Sequence, residues 1–185
     1  MRLGRPPVGA AATAFEQAGR PTADTPWDQA GWCAVDLELT GLDARRSEII
    51  AVGVVPIEQG RIVLGAARYA LARSKGRPEP RAVLVHKLRP ADVADAPPVD
   101  EAIDLVLDAL AGRVPVFHTA LVERTFLSPL FARRRVRFPA AADTELLGRL
   151  WVAQRDGAAP AGMPLARLAR ELGQRAEQPR PAEQP

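Results

Sequence analysis

Residues 48–57 read Glu-Ile-Ile-Ala-Val-Gly-Val-Val-Pro-Ile, a β-branched run that stops at Glu58-Gln59-Gly60. The branched side chains specify a strand, and the polar, glycine-ended stop specifies a tight hairpin turn. Strand-like segments lie on both sides, Trp32 to Leu39 before it and Arg61 to Leu71 after it. Three strands on short connections predict an antiparallel meander. Gly53, inside the second strand, marks a bulge or a close backbone approach.

Residues 73–97 hold Pro78, Pro80, Pro90 and Pro97 and read as loop. Helical periodicity then begins at Pro98, with Ile103, Val106, Leu107 and Leu110 on one face and Gly112 as the stop. A short buried strand, Val114 to Phe117, precedes a helix over about Ala120 to Arg134. Two more helices follow, roughly Thr144 to Gln154 and Pro164 to Leu172, the last stopped by Gly173. A meander followed by strand–helix alternation predicts an α/β fold, a mixed sheet with helices packed on it. Residues 1–30 read as a flexible leader with a short helix near Ala10 to Ala18, residues 31–173 as the folded domain, and residues 174–185 as a disordered tail.

The chain of 185 residues is long enough for a real core, but aromatics make up only 5%. Leu, Val, Ala and Ile must therefore build most of it. The lone Cys33 excludes an intramolecular disulfide and a cysteine-based zinc site, which fits a reducing cytoplasm. No apolar stretch approaches the roughly 20 residues of a membrane span, and there is no P-loop. The net charge is +3. The basic excess lies in the second part of the chain, around Arg133, Arg134, Arg135 and Arg137. That cluster reads either as a contact for a polyanion or as a solvated helix end.

Chemistry concentrates in two places. Asp36 and Glu38 lie two apart on the first strand, so both side chains point to one face. Crowded carboxylates repel, and a divalent cation with oxygen ligands is the simplest compensation. The second place is His118-Thr119-Ala120-Leu121-Val122-Glu123-Arg124-Thr125-Phe126-Leu127, directly after the strand Val114 to Phe117. Glu123 falls early in a helix, where the macrodipole favours an acid whether or not it has a chemical role.

Asp36-Leu37-Glu38-Leu39-Thr40-Gly41-Leu42 resembles the first motif, D-x-E-T-T-G-L, of the DEDDh 3′→5′ exonucleases, a family that includes the epsilon subunit of bacterial DNA polymerase III. His118 to Leu127 resembles the second motif, H-N-A-x-F-D-x-x-F-L, with Glu123 at the Asp position. Val85-His86-Lys87-Leu88 looks like the V-H-G-I segment between them, and Asp143-Thr144 like the start of a later D-T-L helix. The resemblance implies an RNase H-like fold, a five-stranded mixed sheet flanked by helices. It implies hydrolysis of phosphodiester bonds with two Mg²⁺ or Mn²⁺ ions, held by Asp36, Glu38 and Glu123. Leu39, Thr40, Gly41 and Leu42 would cradle the terminal nucleotide. His118, beside the strand end, joins that substrate-binding set in a packing role. The implied partners are single-stranded DNA or RNA 3′ ends, with a polymerase subunit or a second copy of the chain beside them.

The chain departs from the pattern in three places. Glu123 stands for Asp, Leu39 stands for the first Thr, and the third motif, H-x-A-x-x-D, is absent. His86 and His118 are the only histidines, and Arg180, near the position of the missing His, cannot accept a proton at working pH. These departures predict impaired hydrolysis. A second reading is a catalytically inactive module that binds nucleic acid or a polymerase, and a third is a shifted or shortened reading frame after Gly173.

Overall fold

The hairpin expected at Glu58–Gly60 forms with Gln59 at φ 50° and Gly60 at φ 70°, the two positive angles of a type I′ turn. The computed structural model describes residues 5–76 and 78–174. Strand β1 (Trp32–Leu39) pairs antiparallel with β2 (Ile49–Glu58). The expected third strand is broken into β3 (Arg61–Ile62), on the end of β2, and β4 (Arg68–Leu71), on its middle. Between them Leu64–Ala66 forms a single 3₁₀ turn with no buried residue. Without a side chain anchored in the core, that stretch leaves the sheet. On its other edge β1 pairs in parallel with β5 (Val114–Phe117). The sheet order is β3-β2-β1-β5, with β4 also on β2, and it continues to the two-residue β6 (Ala142–Asp143).

One register shift interrupts the β1–β2 ladder. Glu38 faces Ala51 but Leu39 faces Ile49, so Ile50 is the extra residue of a β-bulge. Of the two readings of Gly53, bulge or close approach, the bulge does not form there, since Gly53 sits in regular register opposite Asp36. Ile49, Ile50, Ala51 and Val52 are all buried, so both faces of β2 are covered over this stretch.

The chain divides into two units, between Ala142 and Asp143, where the sequence suggested one domain over 31–173. In the first unit, Cys33, Val35, Leu37 and Leu39 supply the buried face of β1. Helices α1 (Ala10–Gln17) and α4 (Val99–Leu110) pack together, and α4 lies against β1 and β2. Its buried stripe is Ala102, Ile103, Val106, Leu107, Ala109 and Leu110, as the periodicity requires. Within the expected leader, α1 is packed on α4. Phe15 is 1% exposed and meets Phe131 edge-on, with ring centroids 5.8 Å apart, an apolar anchor missed because the surrounding residues are mostly small or polar.

The loop expected over 73–97 contains two short helices, α2 (Pro80–His86) and α3 (Pro90–Val93). Each begins at a proline, which suits a first helical position because its absent N–H would be unpaired there anyway. Helix α5 (Ala120–Arg133) starts after Thr119, whose backbone is left-handed at φ 68°.

The second unit holds α6 (Thr144–Asp156) and α7 (Leu165–Glu171). The Asp143 carboxylate caps α6 by accepting the N–H groups of Glu145 and Leu146 at 2.9 and 3.2 Å. Val152, Met163 and Leu168 form its small core. Most of the expected tail, residues 175–185, lies outside the described residues, Arg180 included. Among the described residues no helix is long and apolar enough to cross a membrane.

Candidate active site

Alternation along β1 sends Cys33, Val35, Leu37 and Leu39 into the core and leaves Asp36 and Glu38 together on the opposite face. The ladders set two rows across that face. One is Asp36–Gly53–Tyr69 and the other is Glu38–Ala51–Leu71. The middle of the Asp36 row, Gly53, is half-buried, whereas the middle of the Glu38 row, Ala51, is fully buried. Asp36 is solvent-accessible, yet the sheet around it removes enough water to raise its pKa above the ordinary value, against a lowering backbone hydrogen bond at Leu37. Glu38 is raised by partial burial and then by the charge of Asp36. Both anions are therefore less comfortable here than in water, and a cation would relieve both.

Tyr69 completes this face, and sequence reasoning missed it. Its ring edge lies 3.9 Å from where a Gly53 Cβ would stand. Partial burial and the charge of Glu38 raise its phenol pKa, so the hydroxyl stays protonated at neutral pH. The signal was Gly53 itself: a glycine inside a strand marks close approach, here by an aromatic ring.

The loop after β1 is tied down from three directions. Thr40 donates its N–H to the Glu48 carbonyl at 3.0 Å, and its Oγ1 accepts the Glu48 N–H at 2.9 Å. Its carbonyl accepts the Glu79 N–H at 2.7 Å. Leu39, Thr40 and Gly41 are buried in consequence, whereas Leu42 is 75% exposed. Of the four loop residues assigned to the terminal nucleotide, Leu42 alone presents its side chain to solvent. A Cβ at Gly41 would displace the exposed Glu79 carboxylate and lie 2.8 Å from Ser47 Oγ. Glu48 in turn accepts from Ser74 Oγ at 2.6 Å, Lys75 N at 2.9 Å and Gly76 N at 3.2 Å. The Ser74 hydroxyl, and then these backbone donors, hold its pKa below the ordinary value.

Glu123 lies in the first turn of α5 and is 6% exposed, where the helix dipole favours its charge. His118, just past β5, is half-buried. The Nδ1 of His86 accepts the Leu88 N–H at 2.9 Å, so in the neutral ring Nε2 carries the proton. His86 therefore serves the chain turn after α2 rather than standing ready as a base. Two acidic oxygen donors on one open face fit a hard divalent cation. Among the described residues no three His, Cys, Asp or Glu side chains form a ready-made ligand cluster.

A curled mixed sheet with helices against it, and an acidic pair at the end of its central antiparallel strand, define an RNase H-like nuclease fold. Solved structures agree. Exonuclease X in complex with 5′-overhanging duplex DNA is similar at a TM-score of 0.55 and 18% identity, over 81% of this chain and 78% of that one. A structure of exonuclease I has a TM-score of 0.66 at 13% identity, over 80% of this chain and 37% of that one. E. coli exonuclease I with a dT13 oligonucleotide gives 0.61 and 12%, over 80% and 36%. The chain thus spans little more than a third of exonuclease I. No curated protein matches it in sequence. Residues 33–125, just over half of the chain, match the family model RNase_T, described as exonuclease, and the chain belongs to that family.

Proposed function

We propose that this chain is a metal-dependent exonuclease domain that hydrolyses phosphodiester bonds at the 3′ ends of single-stranded DNA or RNA. The carrying observation is the acidic pair Asp36/Glu38, together on one sheet face within the span that matches the family. Asp36 and Glu38 would hold Mg²⁺ or Mn²⁺, with Glu123 as a third ligand. Such ions, when bound, lower the pKa of an attacking water and neutralise charge on a leaving oxygen.

The chain's own residues bind and orient. The backbone of Leu39–Leu42, stiffened by its bonds to Glu48 and Glu79, presents Leu42 to the terminal base. Tyr69 offers a protonated hydroxyl and an open ring beside the acids. His118 packs at the strand end. His86 is committed to the Leu88 N–H. DNA in the exonuclease X and exonuclease I structures named above supports a nucleic-acid ligand. The single cysteine, buried and with its pKa raised chiefly by that burial, suits a cytoplasmic setting.

The test is release of 3′-terminal nucleotides from a labelled single strand with Mg²⁺ or Mn²⁺, run to high enzyme concentration. Slow release abolished by Glu38→Gln is the expected result. No release at any concentration, with wild type and variant alike, would reject the hydrolytic reading.

A further inference from the structure

A cleft of about 360 Å³ opens in the first unit, and neither Asp36 nor Glu38 lines it. One wall is the β1–β2 connection, with Ser47, Glu48 and Ile49. The other is α5, with Thr125, Phe126, Pro129, Leu130 and Arg133, and Arg73 and Val99 close the ends. The cleft adjoins the loop after the acidic pair. Ser47 Oγ lies 2.8 Å from where a Gly41 Cβ would stand, Glu48 exchanges two hydrogen bonds with Thr40, and Ile49 pairs with Leu39.

Its electrostatics are one-sided. Arg73 and Arg133 are both exposed, and neither guanidinium has a carboxylate partner among the described residues. Arg134, by contrast, is tied to Asp100 at 3.4 Å and Asp104 at 2.9 Å, and Arg113 is tied to Glu58 at 2.6 Å. The cleft's one acid, Glu48, already accepts three hydrogen bonds from residues 74–76. Two uncommitted guanidiniums, the Ser47 hydroxyl and an apolar floor of Phe126 and Leu130 suit a ligand with a phosphate and an apolar or sugar face. Pro129 in mid-helix withholds an N–H from the Thr125 carbonyl, which leaves an acceptor on the same wall.

We propose that this cleft is a phosphate-ester subsite separate from the acidic pair, with Arg73 and Arg133 as its cationic jaws. The ligand chemistry is that of a nucleotide phosphate, presented either by a nucleic-acid strand running on from the acidic site or by a free nucleoside monophosphate. The proposal rests on the nuclease reading above for the kind of ligand, and binding rather than turnover tests it.

The experiment measures fluorescence anisotropy of a labelled oligothymidylate with EDTA present, across a salt series. The full chain is compared with Arg73→Ala/Arg133→Ala and with a charge-matched control, Arg61→Ala/Arg170→Ala. The cleft variant is expected to bind at least about fivefold more weakly at low salt. Its log K against log salt slope should be shallower by about 1.4, at about 0.7 for each single-strand phosphate lost. The control should match wild type. A second arm titrates thymidine 5′-monophosphate and follows its ³¹P resonance. Binding to wild type but not to the cleft variant assigns the subsite to free nucleotide, whereas loss confined to the oligonucleotide assigns it to the strand. Equal loss in the cleft and control variants, or no loss in either arm, overturns the subsite while leaving the nuclease reading in place. Failure of wild type to bind either ligand at low salt overturns both.

Discussion

Neutralising either member of the acidic pair should stabilise the protein without metal and remove its response to metal. Asp36 and Glu38 are two apart on an extended strand, so their carboxylates start about 6.7 Å apart. Two like charges at that distance repel by about 0.6 kcal/mol in bulk water and about 2.5 kcal/mol at an effective dielectric of 20. Asp36 is open to solvent, which places the working value near the lower end, at about 1 kcal/mol. Asp36→Asn keeps the shape and can still accept a hydrogen bond at Leu37, so the repulsion is the main loss. In urea denaturation at neutral pH with EDTA, Asp36→Asn should be more stable than wild type by about that amount. In excess Mg²⁺ or Mn²⁺ the order should reverse. A ligand at a hundredfold its Kd adds about 2.7 kcal/mol to wild type, and the variant should gain little of it. If Asp36→Asn is less stable without metal, or gains as much from metal as wild type, the carboxylates are not a cation site and the reasoning fails.

The stability profile against pH should carry two opposing limbs. The pKa of Glu48 is lowered, so its contribution is full above the ordinary glutamate value, about 4.3, and is lost as pH falls through its lower folded value. Asp36 and Glu38 are raised and act in the opposite sense, so their cost fades as pH falls through their raised values. Urea midpoints measured from neutral to acid pH should show Glu48→Gln flattening only the most acid limb. Tyr69→Ala should weaken oligonucleotide binding by about tenfold, within the range for base–aromatic stacking. Tyr69→Phe should lose much less, and equal losses in the two variants would shift the role from ring to hydroxyl. Gly148→Ala sets two effects against each other. Helix propensity gains about 1 kcal/mol, but the new Cβ would lie 2.8 Å from Leu168 and 3.1 Å from Met163. Both neighbours are buried, so overpacking of about 1–3 kcal/mol wins, and faster amide exchange in α6 would report it.

The parts legible in the sequence were those set by local pattern. Period-2 alternation gave β1 and the shared face of Asp36 and Glu38, and period-3.6 gave the α4 stripe. The misses came from long-range packing. Phe15 looks like an isolated apolar residue until Phe131 meets it. Pro80 and Pro90 read as loop markers, yet each opens a helix, because proline signals a start as readily as a break. Tyr69 sits 33 residues from Asp36 and joins it only through the ladder with Gly53. Glu79 is farther still, and only a backbone bond to Thr40 brings it over Gly41.

The bulge at Ile50 has a consequence for how the hairpin finds its pairing. Sliding β1 by one residue against β2 would turn Asp36 and Glu38 toward Val106 and Leu107 and send Val35 and Leu37 into water. Each carboxylate so buried would cost several kcal/mol, far more than the slipped ladder could recover. The extra residue at Ile50 and the paired bonds between Thr40 and Glu48 fix the strands at the same end. Charges that serve the chemistry thereby also proofread the fold, because a misaligned hairpin is rejected by the same two acids.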